Sequence, residues 1–124
     1  LSFCVEKHPE LMLPHLSSLL KLCQLPKVDV AFKRNIIRAL QFIEIPARQQ
    51  GKVLALCFSC LVNRKESIAV RVFSMSVLGK LAQQHPDLQQ DLFTLLEIEL
   101  PMASAGFQSR AKKLLKLKTV SLKH

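Results

Sequence analysis

The sequence predicts an all-α chain: a right-handed α-α superhelix of about three helix pairs, with a partial helix in front. Three observations carry this. Apolar residues recur at intervals of three and four rather than two. No Asn-Gly or Asp-Gly turn and no alternating run marks a hairpin. The pattern repeats roughly every 38 residues with two helices per unit, which is the mark of stacked helical repeats.

The elements follow from punctuation and periodicity. A helix is expected to end near His8, followed by helices near 9–24, 29–44, 46–62, 67–84, 86–100 and 104–118. Pro9, Pro46 and Pro86 open three of them, because the first helical position needs no amide donor. Asp29, Ser67 and Ser104 read as N-caps whose side-chain oxygens accept first-turn amides. Leu88, Leu92, Leu95, Leu96 and Leu100 form one stripe. On the preceding helix, Ile68, Val72, Met75 and Ala82 form one row, and Ala69, Phe73 and Val77 a second. A helix apolar on two sides packs on two sides. The expected core includes Leu16, Leu19, Leu20, Ile36, Leu40, Leu56, Phe58, Val72, Met75, Leu78, Leu92, Leu96 and Leu114.

The repeat is visible residue by residue. Lys7-His8-Pro9-Glu10-Leu11 echoes Gln84-His85-Pro86-Asp87-Leu88, with Pro46 between them. Ala39-Leu40, Val77-Leu78 and Leu114-Leu115 align in the second helices. Pro14 and Gly51 fall at matching points of the first helices, so a kinked or two-piece first helix is expected there.

Val70-Arg71-Val72-Phe73-Ser74-Met75-Ser76-Val77-Leu78-Gly79-Lys80-Leu81 resembles the second helix of a HEAT repeat, which runs Val-Arg, two small residues, then Ala-Leu-Gly-x-Leu. Looser copies are Asp29 with Phe32-Lys33, Ile36-Ile37 and Ala39-Leu40, and Phe107-Gln108 with Ala111 and Leu114-Leu115. The chain is therefore similar to HEAT-like, armadillo-type helical repeat families, in particular short bacterial-type chains. Val72, Phe73 and Met75 are bulkier than that pattern. The resemblance implies a binding scaffold whose second helices line a concave face. It also implies an inter-repeat bond between Asp29 and Arg71.

Composition narrows the class. Of 124 residues, 49% are hydrophobic and 22% charged, with only 3 Gly and 6 Pro, which excludes a disordered or fibrous chain. The longest apolar run, Val53 to Val62, is about half of what a membrane span needs. Leu1 to His8 lacks the basic head and long apolar centre of a signal peptide. A cytoplasmic protein with one domain over 1–124 is expected. The chain starts without Met, and upstream repeats are the open alternative. Leu1, Phe3, Cys4 and Val5 would meet those residues or another protein. The Lys-rich last helix reads as a C-terminal cap.

No catalytic, cofactor or metal site is expected. Cys57-Phe58-Ser59-Cys60 is a Cys-x-x-Cys, but it lies mid-helix, away from the N-terminal position that activates a redox thiol. A zinc site would need two more ligands at matching spacing, and Cys4 and Cys23 stand alone. His8, His15, His85 and His124 show no His-Glu-x-x-His spacing, and His8 and His85 fit turn-capping roles. Gly51, Gly79 and Gly106 are scattered and form no phosphate loop. Glu97 and Glu99, two apart, point to different sides of a helix. Adenylosuccinate lyase chemistry has no support: that family has a much longer chain and a Gly-Ser-x-x-Met-x-x-Lys-x-Asn signature, and nothing here matches it.

The basic residues are the remaining functional signal. The net charge is +9, and residues 101–124 hold six Lys or Arg and no acid. Residues 85–100 hold four acids and no Lys or Arg. Stacked second helices would place Lys33, Arg34, Arg38, Arg71, Lys113 and Lys116 along one side. The expected function is a non-enzymatic protein-interaction scaffold that binds an acidic partner through this basic inner face. The alternative is binding of a nucleic-acid backbone by the same face, with Trp and Tyr both absent and so little base stacking.

Overall fold

A computed structural model describes the backbone of residues 9–122 and the side chains of residues 12–116. The leading helix ending near His8, with Leu1, Phe3, Cys4 and Val5, lies outside the described residues, as does His124. A 3-10 segment, Pro9–His15, leads into α1 (Leu16–Cys23). Then follow α2 (Val30–Leu40), α3 (Ala47–Val62), α4 (Ile68–Ala82), α5 (Pro86–Glu99) and α6 (Ala105–Leu122). A short 3-10 turn, Leu100–Met102, joins α5 to α6. No strand occurs among the described residues.

The helix starts follow their capping chemistry. The Asp29 carboxylate accepts the Phe32 N–H at 3.1 Å, and the Ser67 hydroxyl accepts the Val70 N–H at 3.2 Å. Ser104 accepts the Phe107 N–H at 3.4 Å. Each satisfies an amide that has no intrahelical partner. Pro86 occupies the first turn of α5, and Pro46 is the residue before α3.

Several helices stop earlier than their periodicity suggests. The expected 29–44 helix ends at Leu40 because the chain then extends to drive both Ile43 and Ile45 into the core. Pro14 splits the first helix, with 3-10 geometry on one side and α on the other. At the matching point Gly51, α3 runs unbroken. A lone glycine weakens a helix by only about 1 kcal/mol, which sixteen residues of packed helix absorb.

The first helices α1, α3 and α5 form one layer and the second helices α2, α4 and α6 the other. Within the second layer α4 is central, packed on both α2 and α6 as well as on α3 and α5. This makes α4 apolar on several sides: Val70, Met75, Val77, Leu78, Leu81 and Ala82 are all buried. Gly79 lets α6 approach, since a Cβ there would sit 2.7 Å from Leu114 Cδ2. The expected core residues are buried, except that Phe58, Val72 and Leu114 are half-buried against it. Ile68 is 54% exposed and belongs to the surface. Phe107, Met12 and Ile37 are fully buried additions. The architecture is the all-α superhelix of paired helices that the sequence predicts. Among the described residues, no helix is long and apolar enough to cross a membrane.

Candidate functional site

Charge is segregated between the layers. The stretches 30–40, 68–82 and 105–122 contain no Asp or Glu and ten Lys or Arg. The acids of the helical layers lie in α5: Asp87, Asp91, Glu97 and Glu99. The second-helix layer therefore carries positive charge that no carboxylate of its own offsets.

The fold sorts the nine of these cations whose side chains are described into two groups. Three are drawn into the structure. The Lys33 ammonium donates to Glu66 Oε1 at 2.6 Å, with side chains 14% and 16% exposed. Arg71 Nε donates to the Leu61 carbonyl at 3.0 Å, and Nη2 lies 3.7 Å from Glu99 Oε2. The same guanidinium lies 4.7 Å from the centre of the buried Phe107 ring, a cation-π arrangement. The Lys80 ammonium donates to the carbonyls of Gln41 and Ile43 and so fastens the α2–α3 linker onto α4. The second group is exposed: Arg34 and Arg38 on α2, and Arg110, Lys112, Lys113 and Lys116 on α6. Between them lies the half-buried strip Ala69, Val72, Phe73 and Ser76 of α4.

The bond implied between Asp29 and Arg71 does not form. Asp29 caps its own helix, and Arg71 turns to Glu99, which also takes Arg64 at 3.2 Å. Arg71 is an architectural residue, held by an acid from the end of α5 rather than from the start of α2. Periodicity alone does not show that Glu99 is buried. The separation of Glu97 and Glu99 does hold: Glu99 faces inward and Glu97 outward.

A cavity of about 460 Å³ opens where the α1–α2 turn meets α3. Its walls include Cys23, Leu25, Val28, Val30 and Leu56, with Lys33, Cys60 and Glu66 supplying polar groups. Burial is the largest influence on all three described cysteines. It pushes the Cys23 thiol up to about 11 and raises Cys57 and Cys60. Lys33 acts in the opposite direction on Cys23 and Cys60. For Lys33 itself burial acts downward, but the hydrogen bond and charge of Glu66, together with Cys60, outweigh it and leave the ammonium raised. One sequence signal for this cluster was available: Cys23 and Cys60 are 37 apart, a single repeat step.

His85 caps no amide. Its Nε2 meets Gln50 Oε1 at 2.8 Å, and Gln50 in turn donates to the Ile45 carbonyl. Among the described residues no group of three or more His, Cys, Asp or Glu could hold a metal ion.

No curated protein and no solved structure matches the chain. The family model of the HEAT repeat domain matches residues 2–118. Domains of this kind are generally non-catalytic scaffolds that mediate protein interactions. That match over almost the whole chain, on a stack of paired helices, places the protein in the HEAT repeat family.

Proposed function

We propose that the protein is a non-enzymatic, cytoplasmic scaffold that binds an acidic protein surface through its second-helix layer. Arg34, Arg38, Lys113 and Lys116 make the contacts. Lys33 and Arg71 lie beneath them and fix the helices that present them. The observation carrying this reading is that six exposed cations share a layer with no Asp or Glu in its helices. Such a field speeds encounter with an anionic partner and discriminates against basic ones. The half-buried Val72 and Phe73 between the cationic flanks offer apolar contact once charges have aligned the partner.

The same field fits a nucleic-acid backbone, which is the second reading. Binding of the full chain to host proteins and to nucleic acid is compared with that of the Arg34→Glu/Arg38→Glu double variant. Capture of an acidic protein that falls by about tenfold or more in the variant supports the scaffold reading. Nucleic-acid affinity that collapses with salt and with the same reversals, and no acidic protein captured, replaces it with the second.

A further inference from the structure

We propose that the edge of the stack formed by the turns inside each helix pair docks on an anionic lipid bilayer surface, with its apolar side chains entering the interface. Nine large apolar side chains are strongly exposed among the described residues, and seven of them lie at this edge. Leu22, Val62 and Ile98 lie in the last turns of the first helices α1, α3 and α5. Val30 and Ile68 open the second helices α2 and α4. Leu25 and Met102 sit in the connections between. At the opposite edge, where 41–46 and 83–85 link one pair to the next, only Phe42 among the described residues is exposed in this way.

The three turns join a first helix to a second, so they fall at one end of the stack and run side by side. Leu25 and Val30 share the cavity wall with Asn63 and Glu66 of the next turn. Arg64 of that turn reaches Glu99 at 3.2 Å. Ile68 lies against Gly106, where a Cβ would sit 3.8 Å from Ile68 Cγ2. The apolar tips therefore follow one another along a single edge, a kind of patch that marks a docking surface.

Charge decides what docks there. Lys21, Lys27, Arg64 and Lys65 are exposed along this edge, against Asp29 and Glu97. Its other acids are already met, Glu66 by Lys33 and Glu99 by Arg64 and Arg71. Affinity for an anionic bilayer combines these two features: apolar area that enters the interface, and Lys or Arg held at the level of the headgroups. A protein partner suits the edge less well. Protein interfaces concentrate aromatic side chains and deplete Lys, whereas 21–30, 62–68 and 97–106 contain no aromatic residue. The inference is independent of the acidic partner proposed above, because Arg34, Arg38, Lys113 and Lys116 all lie outside these stretches.

The chain has no Trp, so one introduced Trp reports its own surroundings. Met102→Trp places it on the edge and Phe42→Trp at the opposite end, both at strongly exposed positions. Each full-length variant is mixed with phosphatidylcholine vesicles, with and without about one-third phosphatidylserine. The Met102→Trp emission is expected to shift to the blue with the anionic vesicles alone, and the Phe42→Trp emission to stay in place. Leu25→Ser/Ile68→Ser/Met102→Ser keeps every charge and is expected to weaken vesicle co-sedimentation by about tenfold or more, with the circular dichroism melt unchanged. Arg34→Glu/Arg38→Glu leaves the Met102→Trp shift in place, which separates this edge from the second-helix layer. No shift at Met102→Trp, equal shifts at both positions, or full vesicle binding by the triple serine variant overturns the proposal. Capture of a host protein that the triple serine variant loses, with no vesicle binding by the parent chain, replaces the bilayer with a protein partner.

Discussion

At the scale of single residues, Glu99 shows how a carboxylate becomes structural. It is buried at the end of α5, and it meets Arg71 from α4 and Arg64 from the α3–α4 turn. Three segments therefore depend on one side chain. Burying a charge costs several kcal/mol unless its partners are in place. Glu99→Gln keeps the shape and removes the charge, leaving Arg71 buried without its counter-ion beside Phe107. A loss of about 3 kcal/mol is expected, read as a lowered midpoint in urea unfolding. The thiols give a second prediction. Cys23 and Cys57 are raised above the ordinary 9.0, so the unfolded chain releases these protons first. Stability is complete below about pH 9 and falls as pH rises toward 11. The raised Lys33 adds a loss of the same sign, above its ordinary 10.5. Thermal unfolding between pH 7 and 11 checks this, and Cys57→Ala flattens the alkaline slope.

At the scale of elements, what was legible depended on whether the controlling interaction is local. Asp29, Ser67 and Ser104 could be read as caps because a cap bonds an amide only three residues away. The end of α2 could not, because Ile43 and Ile45 leave the helix to reach a core built by other elements, with the Ile43 carbonyl held by Lys80 from α4 and the Ile45 carbonyl by Gln50 from α3. The two interior glycines show the same division. Gly51 and Gly79 look alike in sequence, but a Cβ at Gly51 meets nothing within 4 Å, whereas one at Gly79 collides with Leu114. Gly51→Ala is expected to stabilise by about 0.5–1 kcal/mol through helix propensity alone. Gly79→Ala gains the same propensity but requires the end of the half-buried Leu114 side chain to turn aside, which offsets that gain. The denaturant midpoint of Gly51→Ala should therefore rise above that of Gly79→Ala.

At the scale of the whole molecule, the repeat and the charged layer were legible, but the division of labour among the cations was not. Lys33, Arg34, Arg38, Arg71, Lys113 and Lys116 share one layer, and nothing in their spacing separates presenters from fasteners. The separation comes from Glu66, 33 residues beyond Lys33, and from Glu99, 28 beyond Arg71, which only the stacking of neighbouring units brings into range. Charge reversal tests that division within one experiment. Arg34 and Arg38 are exposed, and exposed surface charges affect stability by no more than about 0.5 kcal/mol. Arg34→Glu/Arg38→Glu should shift the melting temperature by no more than about 5 °C and weaken partner capture by about tenfold or more. Arg71→Glu instead sets a second carboxylate against Glu99 inside the α4–α5–α6 junction, so cooperative unfolding should be lost or shifted far down. If Arg71→Glu melts like the parent chain, the fold does not depend on the Arg71–Glu99 contact. If the double variant unfolds, the α2 cations hold the stack together and are not free to receive a partner.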